Sequence, residues 1–423
     1  MKSMLKYIGI IAGIFALASC VDDYPDRFHA TEGKPTVDFV RYADQDVFIT
    51  QAFMDEVLCI VGSNLRSVHD IYFNDQAAIL NTSYITDNTL IVAVPSTAAT
   101  VQTDKIYLVT AAKDSVTYDF KILPPVPKVT SISNEWAADG EDVTLKGKYF
   151  IDVTGVSIPG ATVSTYNVVS SETITFKVPA GAASGPVEVT TASGTGRSTF
   201  QFRDTRNMLF DWDGVYGRAI GAGWRDGSKV LHAPGDHAFP ALSGNYIALA
   251  ADVAAGPWDD WKEDELAFNY WPGAVGSANE PLYAWPDFAN YIKKYGVGGL
   301  CLKFEVLVPT TNPWTSYGLQ IMFSSESFVS EANMTNGYYS EETFPRYVWE
   351  PWTASGSFDT GDKWQTVSIP ITNFNMISSG ATCATKFDDS FFHGFAMFLW
   401  GGSTEGTAGS PIIAIDNIRV VPL

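Results

Sequence analysis

Short runs in which apolar and polar residues alternate make up most of the chain. Leu300, Leu302, Phe304, Val306 and Val308 alternate with Cys301, Lys303, Glu305 and Leu307. Period two of this kind predicts an antiparallel strand with one buried and one wetted face. The runs YGLQIMF (317–323), KWQTVSIPI (363–371), GFAMFLW (394–400) and IIAIDNIRVV (412–421) read the same way. They are rich in β-branched and aromatic residues and are bounded by Gly, Asn, Asp and Ser clusters. No heptads or long amphipathic helices stand out, so the predicted fold class is all-β. Phasing sorts the faces. In 394–400, Phe395, Met397 and Leu399 suit a core, which leaves Ala396, Phe398 and Trp400 for the outer sheet face. In RYVWEPW (346–352), Tyr347 and Trp349 share one face, which the core is not expected to claim. Val348 and Glu350 share the other, and Trp352 falls just past Pro351, where a strand would end. Trp314 sits in PTTNPWTSYG, between polar and turn residues, where full burial is not expected. Trp364 is expected to cover a sheet edge.

A repeat lies on either side of the stiff break PPVP (124–127). EVLCIVGSNL, IYFND, TLIVAVP and KIYLVT of the first copy match DVTLKGKYF, GVSIPG, TITFKVP and GPVEVT of the second. Gly62 to Pro95 spans 33 residues and Gly147 to Pro179 spans 32. The glycine is expected to let the chain turn after a core strand, and the proline to close a strand. The pattern resembles the TIG/IPT immunoglobulin-like domain. Two such sandwiches are expected over 33–125 and 126–204, followed by a β-sandwich or jelly roll over 205–423. Neither copy offers polar side chains clustered for chemistry, so a spacer role is expected of both.

Composition changes the picture at residue 205. The remainder holds eleven of the twelve tryptophans, ten of nineteen tyrosines and fifteen of twenty-six phenylalanines. A sandwich core does not need so many indoles. Trp258, Trp261, Trp271 and Trp285 fall in the irregular stretch 256–288, read as a long loop that either shapes a site wall or is merely pinned by its own rings. Exposed flat rings suit a sugar. A pyranose has an apolar face of C–H groups and a rim of hydroxyls, and Trp and Tyr offer rigid area with little entropy to lose. A contiguous aromatic surface also suits a protein partner, so a surface adhesin stays open as a second reading.

The first residues, MKSMLKYIGIIAGIFALASC, carry Lys2 and Lys6 ahead of an apolar stretch too short to span a bilayer as a mature helix. Leu17-Ala18-Ser19-Cys20 looks like a bacterial lipobox, so residues 1–19 are expected to be a signal peptide and Cys20 the lipidated N-terminus. The acidic VDDYPD that follows resembles the export signal of Bacteroidetes surface lipoproteins. It opens a tether over 20–32 and points to the outer face of the outer membrane. Cys59, Cys301 and Cys383 are far apart, permit at most one disulfide and form no metal-ligand spacing. The formal charge of -20, from 47 acids against 27 bases, repels phosphate backbones, so nucleic acid is excluded as a partner. Asp211 and Asp213 suit a structural Ca²⁺, but turn formation is the commoner use of such residues. No metal or cofactor is assigned.

With strands and rings placed, the C-terminal region resembles the glycan-binding domain of Bacteroidetes surface glycan-binding proteins, the type B lipoproteins of polysaccharide utilisation loci. FDWDG (210–214), SGNYIALAA (243–251), LKFEVLVP (302–309), YVWEPW (347–352), WQTVSIPI (364–371) and AIDNIRVVPL (414–423) carry the resemblance. It implies binding of a polysaccharide, such as xyloglucan or another plant β-glucan, without cleavage. It implies partners too: a TonB-dependent outer-membrane transporter and its starch-utilisation-type lipoprotein. The binding platform it implies comprises Trp314, Tyr347, Trp349, Trp352, Glu350 and Phe398 or Trp400, with Trp258, Trp261 and Trp285 as further candidates. A glycoside hydrolase would need two carboxylates about 5 or 6.5–9.5 Å apart. Glu350 is one candidate, with Glu305, Asp416, Glu263, Asp264 or Glu265 as mates. None stands in a catalytic motif, so no catalytic residue is assigned.

Overall fold

The computed structural model describes residues 30–255, 262, 264–325, 344–400 and 407–423. Cys20, Trp258, Trp261 and Glu263 therefore lie outside the described residues. Two compact units are present, one ending at Val126 and one running from Pro127 to Leu423. Among the described residues the only α-helix is Pro286–Tyr295 (α1), and none is long and apolar enough to cross a membrane.

The first unit packs two four-stranded antiparallel sheets. One has the order Phe48–Ile49, Thr36–Tyr42, Val57–Ser63, Thr89–Ala93. The other runs Gln76–Ala78, Val68–Phe73, Lys105–Thr110, Ser115–Asp119. Alternate residues such as Leu58, Ile60, Leu90, Ile106 and Leu108 fill the space between them. The second unit opens with the same arrangement, Lys128–Ile132, Asp142–Lys148 and Thr173–Lys177 taking the places of Thr36–Tyr42, Val57–Ser63 and Thr89–Ala93. The matched glycines do not turn the chain. Gly62 and Gly147 lie inside strands, beside register shifts in the neighbouring strand at Val37/Phe39 and Val129/Ser131. A Cβ would stand 1.9 Å from the Thr36 carbonyl oxygen at one and 2.1 Å from that of Lys128 at the other. The repeat conserves a close backbone approach at a bulge.

The C-terminal sandwich is numbered on its own: β1 Met208–Phe210, β2 Leu231–His232, β3 Tyr246–Ala250, β4 Ala267–Tyr270, β5 Leu300–Leu307, β6 Leu319–Ser324, β7 Arg346–Trp349, β8 Gln365–Pro370, β9 Gly394–Leu399 and β10 Ile412–Pro422. The larger sheet has the order β2-β3-β10-β5-β8, with β1 also paired to β10. The smaller has the order β4-β9-β6-β7. Phe304, Val306, Ile415, Ile321, Met397 and Leu399 belong to the core between them. Helix α1 was not foreseen in the 256–288 stretch. Its start and stop are nonetheless written there: Pro286 at the first position, Asp287 in the first turn, Lys293 and Lys294 in the last, and Gly296 beyond at φ 64°.

Strand β5 departs from the half-wetted pattern, since all eight of its residues are buried. The immunoglobulin-like part of the second unit covers its outer face. A bulge between Lys303 and Glu305, with Asn417 at φ 53°, pairs Arg419 with Lys303 and Asp416 with Glu305. Arg419 then donates to both oxygens of Glu305 (2.7 and 3.0 Å) and to Glu135 (2.8 Å), and Lys303 donates to the other Glu135 oxygen at 2.5 Å. The Glu135 amide donates to Thr366 Oγ1 at 2.7 Å, and the Thr366 amide to the Ser133 carbonyl at 3.0 Å. Burial alone would lower the Arg419 pKa, but the two carboxylates more than reverse that and hold it charged. Burial pushes Asp416 well above the usual carboxylate range, and Glu305 and Asp213 add to the push.

Candidate glycan-binding site

One end of the smaller sheet brings Tyr317, Trp349, Trp352 and Trp400 near its rim. There β6 begins after Tyr317-Gly318, β7 runs out into Glu350-Pro351-Trp352, and β9 runs out into Trp400. The Trp400 amide donates to the Gly318 carbonyl at 3.2 Å. Val348, Gln320 and Phe398 stand side by side in the register of the sheet. One pleat further on, Glu350, Gly318 and Trp400 form the next row on the same outer face. Gly318 keeps that row low. A Cβ there would lie 2.6 Å from Val348 Cγ1 and 3.1 Å from Glu350 Oε1. Glu350 is exposed, whereas Trp400 is 9% exposed. The turn after β7 is fixed by Thr353, whose amide and hydroxyl both donate to the Glu350 carbonyl (3.1 and 2.7 Å). Tyr317, at φ 63°, reaches across to donate its hydroxyl to the Ala254 carbonyl.

Trp314 is a correction. It is fully buried, at 0% exposure. The loop that holds it bridges to Phe358 through a reciprocal pair of 2.8 Å backbone hydrogen bonds. Its indole N–H donates to the carbonyls of Ser316 (2.8 Å) and Tyr317 (3.1 Å). The polar neighbours that made the loop look wet satisfy the one polar atom of the ring. Tyr347 and Trp349 are a second correction. They do share a face, but it is the one turned to the core. Trp349 packs edge-on against Phe304, Trp314 and Phe358 at 5.8, 5.4 and 5.7 Å, and Tyr347 lies against Phe374 at 6.2 Å. Because β7 is an edge strand, both rings stay only half-buried. Phe398 faces outward as the phasing indicates, yet it is wholly buried.

Trp352 is half-buried and packs on the same core, and its indole N–H has no hydrogen-bond partner. Trp285 lies elsewhere, beside Tyr270, with its N–H donating to the Glu280 carbonyl at 3.2 Å. Tyr317 and Gly318 belong to the site and were not singled out. The signal available was a Tyr-Gly pair directly ahead of an alternating run. Gln320, buried on the outer face, donates to the carbonyls of Ser378 (2.9 Å) and Trp400 (3.2 Å) and so fixes the sheet end from below.

Desolvation raises the Glu350 carboxyl pKa and the Tyr347 phenol pKa. A carboxylate accepts charge-assisted hydrogen bonds from hydroxyl groups. Of the suggested catalytic mates for Glu350, Glu305 is sealed into the ionic network on the other sheet and Asp416 is buried beside it, held by Ser243 and the Asn417 amide. Asp211 accepts from the amides of Gly214, Val215, Tyr216 and Gly217, and Asp213 from that of Asn245. Asp211 of FDWDG is thus a turn-former, whereas Asp213 ties its loop to the start of β3. Cys59, Cys301 and Cys383 are buried and unpaired with one another, and burial pushes the Cys301 thiol up to about 11. What remains at the sheet end is half-buried Trp352, the partly desolvated Glu350 carboxylate and a glycine packed under Val348 and Glu350. The row offers no second carboxylate among its described residues.

Residues 202–422 match the family of the surface glycan-binding protein B xyloglucan-binding domain, and residues 127–203 match the IPT/TIG domain. The crystal structure of the surface glycan-binding protein PbSGBP-B from Prevotella bryantii is 34% identical. It superposes with a TM-score of 0.74 over 92% of this chain and 99% of its own. An IPT/TIG domain-containing protein of Bacteroides ovatus is 25% identical over 379 residues, 86% of this chain and 68% of its own. The chain thus belongs to the surface glycan-binding protein B family.

Proposed function

We propose that this chain is a non-catalytic receptor that holds a neutral β-glucan, of the xyloglucan or mixed-linkage type, against the end of its smaller sheet. The observation that carries this reading is the outer-face row in which Gly318 lies between Glu350 and Trp400, with half-buried Trp352 two residues beyond Glu350. In this reading Trp352 offers its exposed ring area to the sugar's C–H surface, and Glu350 accepts from a hydroxyl. The match to a xyloglucan-binding domain supports the choice of ligand. The rigid seal between residues 127–203 and the sandwich supports a role for that domain in setting the angle at which the site is presented. Lipid on Cys20 would tether the chain to the outer membrane, facing outward, beside a TonB-dependent transporter and its starch-utilisation-type lipoprotein.

Affinity electrophoresis tests the reading. The soluble chain, begun after Cys20, is run through native gels containing xyloglucan, mixed-linkage β-glucan or no polymer, with reducing ends assayed in parallel. Retardation by a β-glucan with no release of reducing ends is the expected result. Migration unchanged in every polymer would sink the assignment, and reducing sugar released by the pure protein would make it an enzyme.

A further inference from the structure

A second cleft, of about 510 Å³, opens away from the sheet end, in the sandwich beside its seam with the immunoglobulin-like domain. It is lined by Thr205, Tyr216, Arg218, Glu280, Trp285 and Asp287 among others. Four features set it apart from an accidental groove. Arg218 is preorganised: its guanidinium lies over Trp285 at 4.8 Å and Tyr270 at 5.2 Å, and Nη1 alone is bound, to the Ala278 carbonyl (2.9 Å) and Asn279 Oδ1 (3.1 Å). Its Nε and Nη2 have no hydrogen-bond partner among the described residues and so remain as oriented donors. Tyr216 is 57% exposed and is braced from behind by Trp136 of the immunoglobulin-like domain, ring to ring at 6.0 Å. Its loop is rigid, because Asp211 takes four consecutive amides from 214–217. The Asp287 carboxylate is exposed, and no hydrogen bond or ion pair from the described residues reaches it.

We propose that this cleft is a second glycan subsite that binds one or two rings of a neutral oligosaccharide, with Tyr216 under the sugar face and Arg218 and Asp287 on its hydroxyls. Rigid aromatic area beside a fixed donor pair and a free acceptor matches the alternation of C–H face and vicinal hydroxyls on a hexose. The volume falls within the ~300–1,000 Å³ of small-molecule clefts. Glu280 and Asp287 outweigh Arg218 in charge, which disfavours a uronic acid. This subsite rests on the glycan-binding reading above and adds avidity to it: a polymer long enough to touch both sites binds more tightly than a short oligosaccharide.

The test uses the soluble chain as wild type, Tyr216→Ala, Asp287→Ala and Trp352→Ala. Each is run in native gels containing mixed-linkage β-glucan or polygalacturonate, and each is followed by amide exchange with and without a xyloglucan heptasaccharide. The expected result is that Tyr216→Ala and Asp287→Ala each weaken polymer binding about threefold to tenfold. Exchange over 214–218 should slow with heptasaccharide even in Trp352→Ala. Polymer affinity equal to wild type in both cleft variants, with exchange over 214–218 unmoved, would overturn the subsite while leaving the sheet-end site standing. Preference for polygalacturonate would overturn its neutral character. A wild type retarded by no glycan would overturn both readings.

Discussion

Strands β5 and β6 are buried from end to end, one in each sheet of the same sandwich, and for opposite reasons. The outer face of β5 is ionic. Lys303 and Glu305 meet Arg419 and Glu135 there, and the second immunoglobulin-like domain closes over them. The outer face of β6 carries Gln320 beneath Trp400 and Phe398 and ends in the glycine-floored row beside Glu350. Both regions hold perturbed carboxylates, and a perturbed carboxylate is often taken as the mark of an active site. Here the more strongly perturbed acid, Asp416, lies buried on the larger sheet, paired across strands with Glu305, while the site candidate Glu350 is raised by partial desolvation. Buried charge in this molecule fixes how two domains meet. In the proposed function, recognition is left to the opposite, smaller sheet.

The largest expected effect breaks the ionic side. Arg419→Ala leaves Glu135 and Glu305 buried without their shared cation, which costs about 3–5 kcal/mol. Urea unfolding of the second unit would show it as a lower midpoint, with glycan binding retained by the protein that stays folded. A loss under about 1 kcal/mol would mean the seam is wet and the contrast between the two sheets false. On the other side, Trp352→Ala should lower affinity for a soluble β-glucan about tenfold or more, which is about 1.4 kcal/mol, with circular dichroism unchanged. Gly318→Ala should do both at once. The added methyl presses on Val348, at a stability cost of about 1–3 kcal/mol by overpacking, and it fills the floor of the site, so binding and unfolding midpoint should fall together.

Glu350→Gln sharpens the comparison through pH. The folded-state pKa of Glu350 is raised by desolvation. Its contribution is therefore fully favourable only below the unfolded value of about 4.3, and is lost as pH rises through the folded value. The glutamine variant should unfold at a higher temperature than wild type at pH 7, and the gap should close as pH falls toward 4. An equal gap at both ends would place Glu350 in free solvent. The smallest effect is expected of Trp352→Phe. The indole N–H it removes has no partner, so no hydrogen bond is lost, and thermal unfolding should move little.

Much of this was legible in the sequence. Period two located the strands, because each pairs across a pleated sheet that demands alternation. The repeat located both immunoglobulin-like sandwiches. Phasing showed that Tyr347 and Trp349 share a face but could not say which face was core. Both faces of β7 are lined with large side chains, and the buried Arg346 on the other face looks polar in a sequence while it is packed in the structure. Trp314 misled in the reverse sense, since its polar neighbours serve its indole N–H. Gly62 and Gly147 were read as turns because a sequence does not show a neighbouring carbonyl at 1.9 or 2.1 Å. The seam between residues 127–203 and the sandwich was illegible, because Glu135 and Arg419 are 284 residues apart.

One measurement bears on the central claim most directly. Calorimetric titration of a soluble xyloglucan into the wild-type chain, Trp352→Ala and Arg419→Ala, each at a temperature where it is folded, separates the two faces. The account predicts binding by wild type, near-wild-type binding by Arg419→Ala, and affinity at least tenfold weaker in Trp352→Ala. Equal affinity in wild type and Trp352→Ala would contradict it and remove the sheet end as the place where glycan is held.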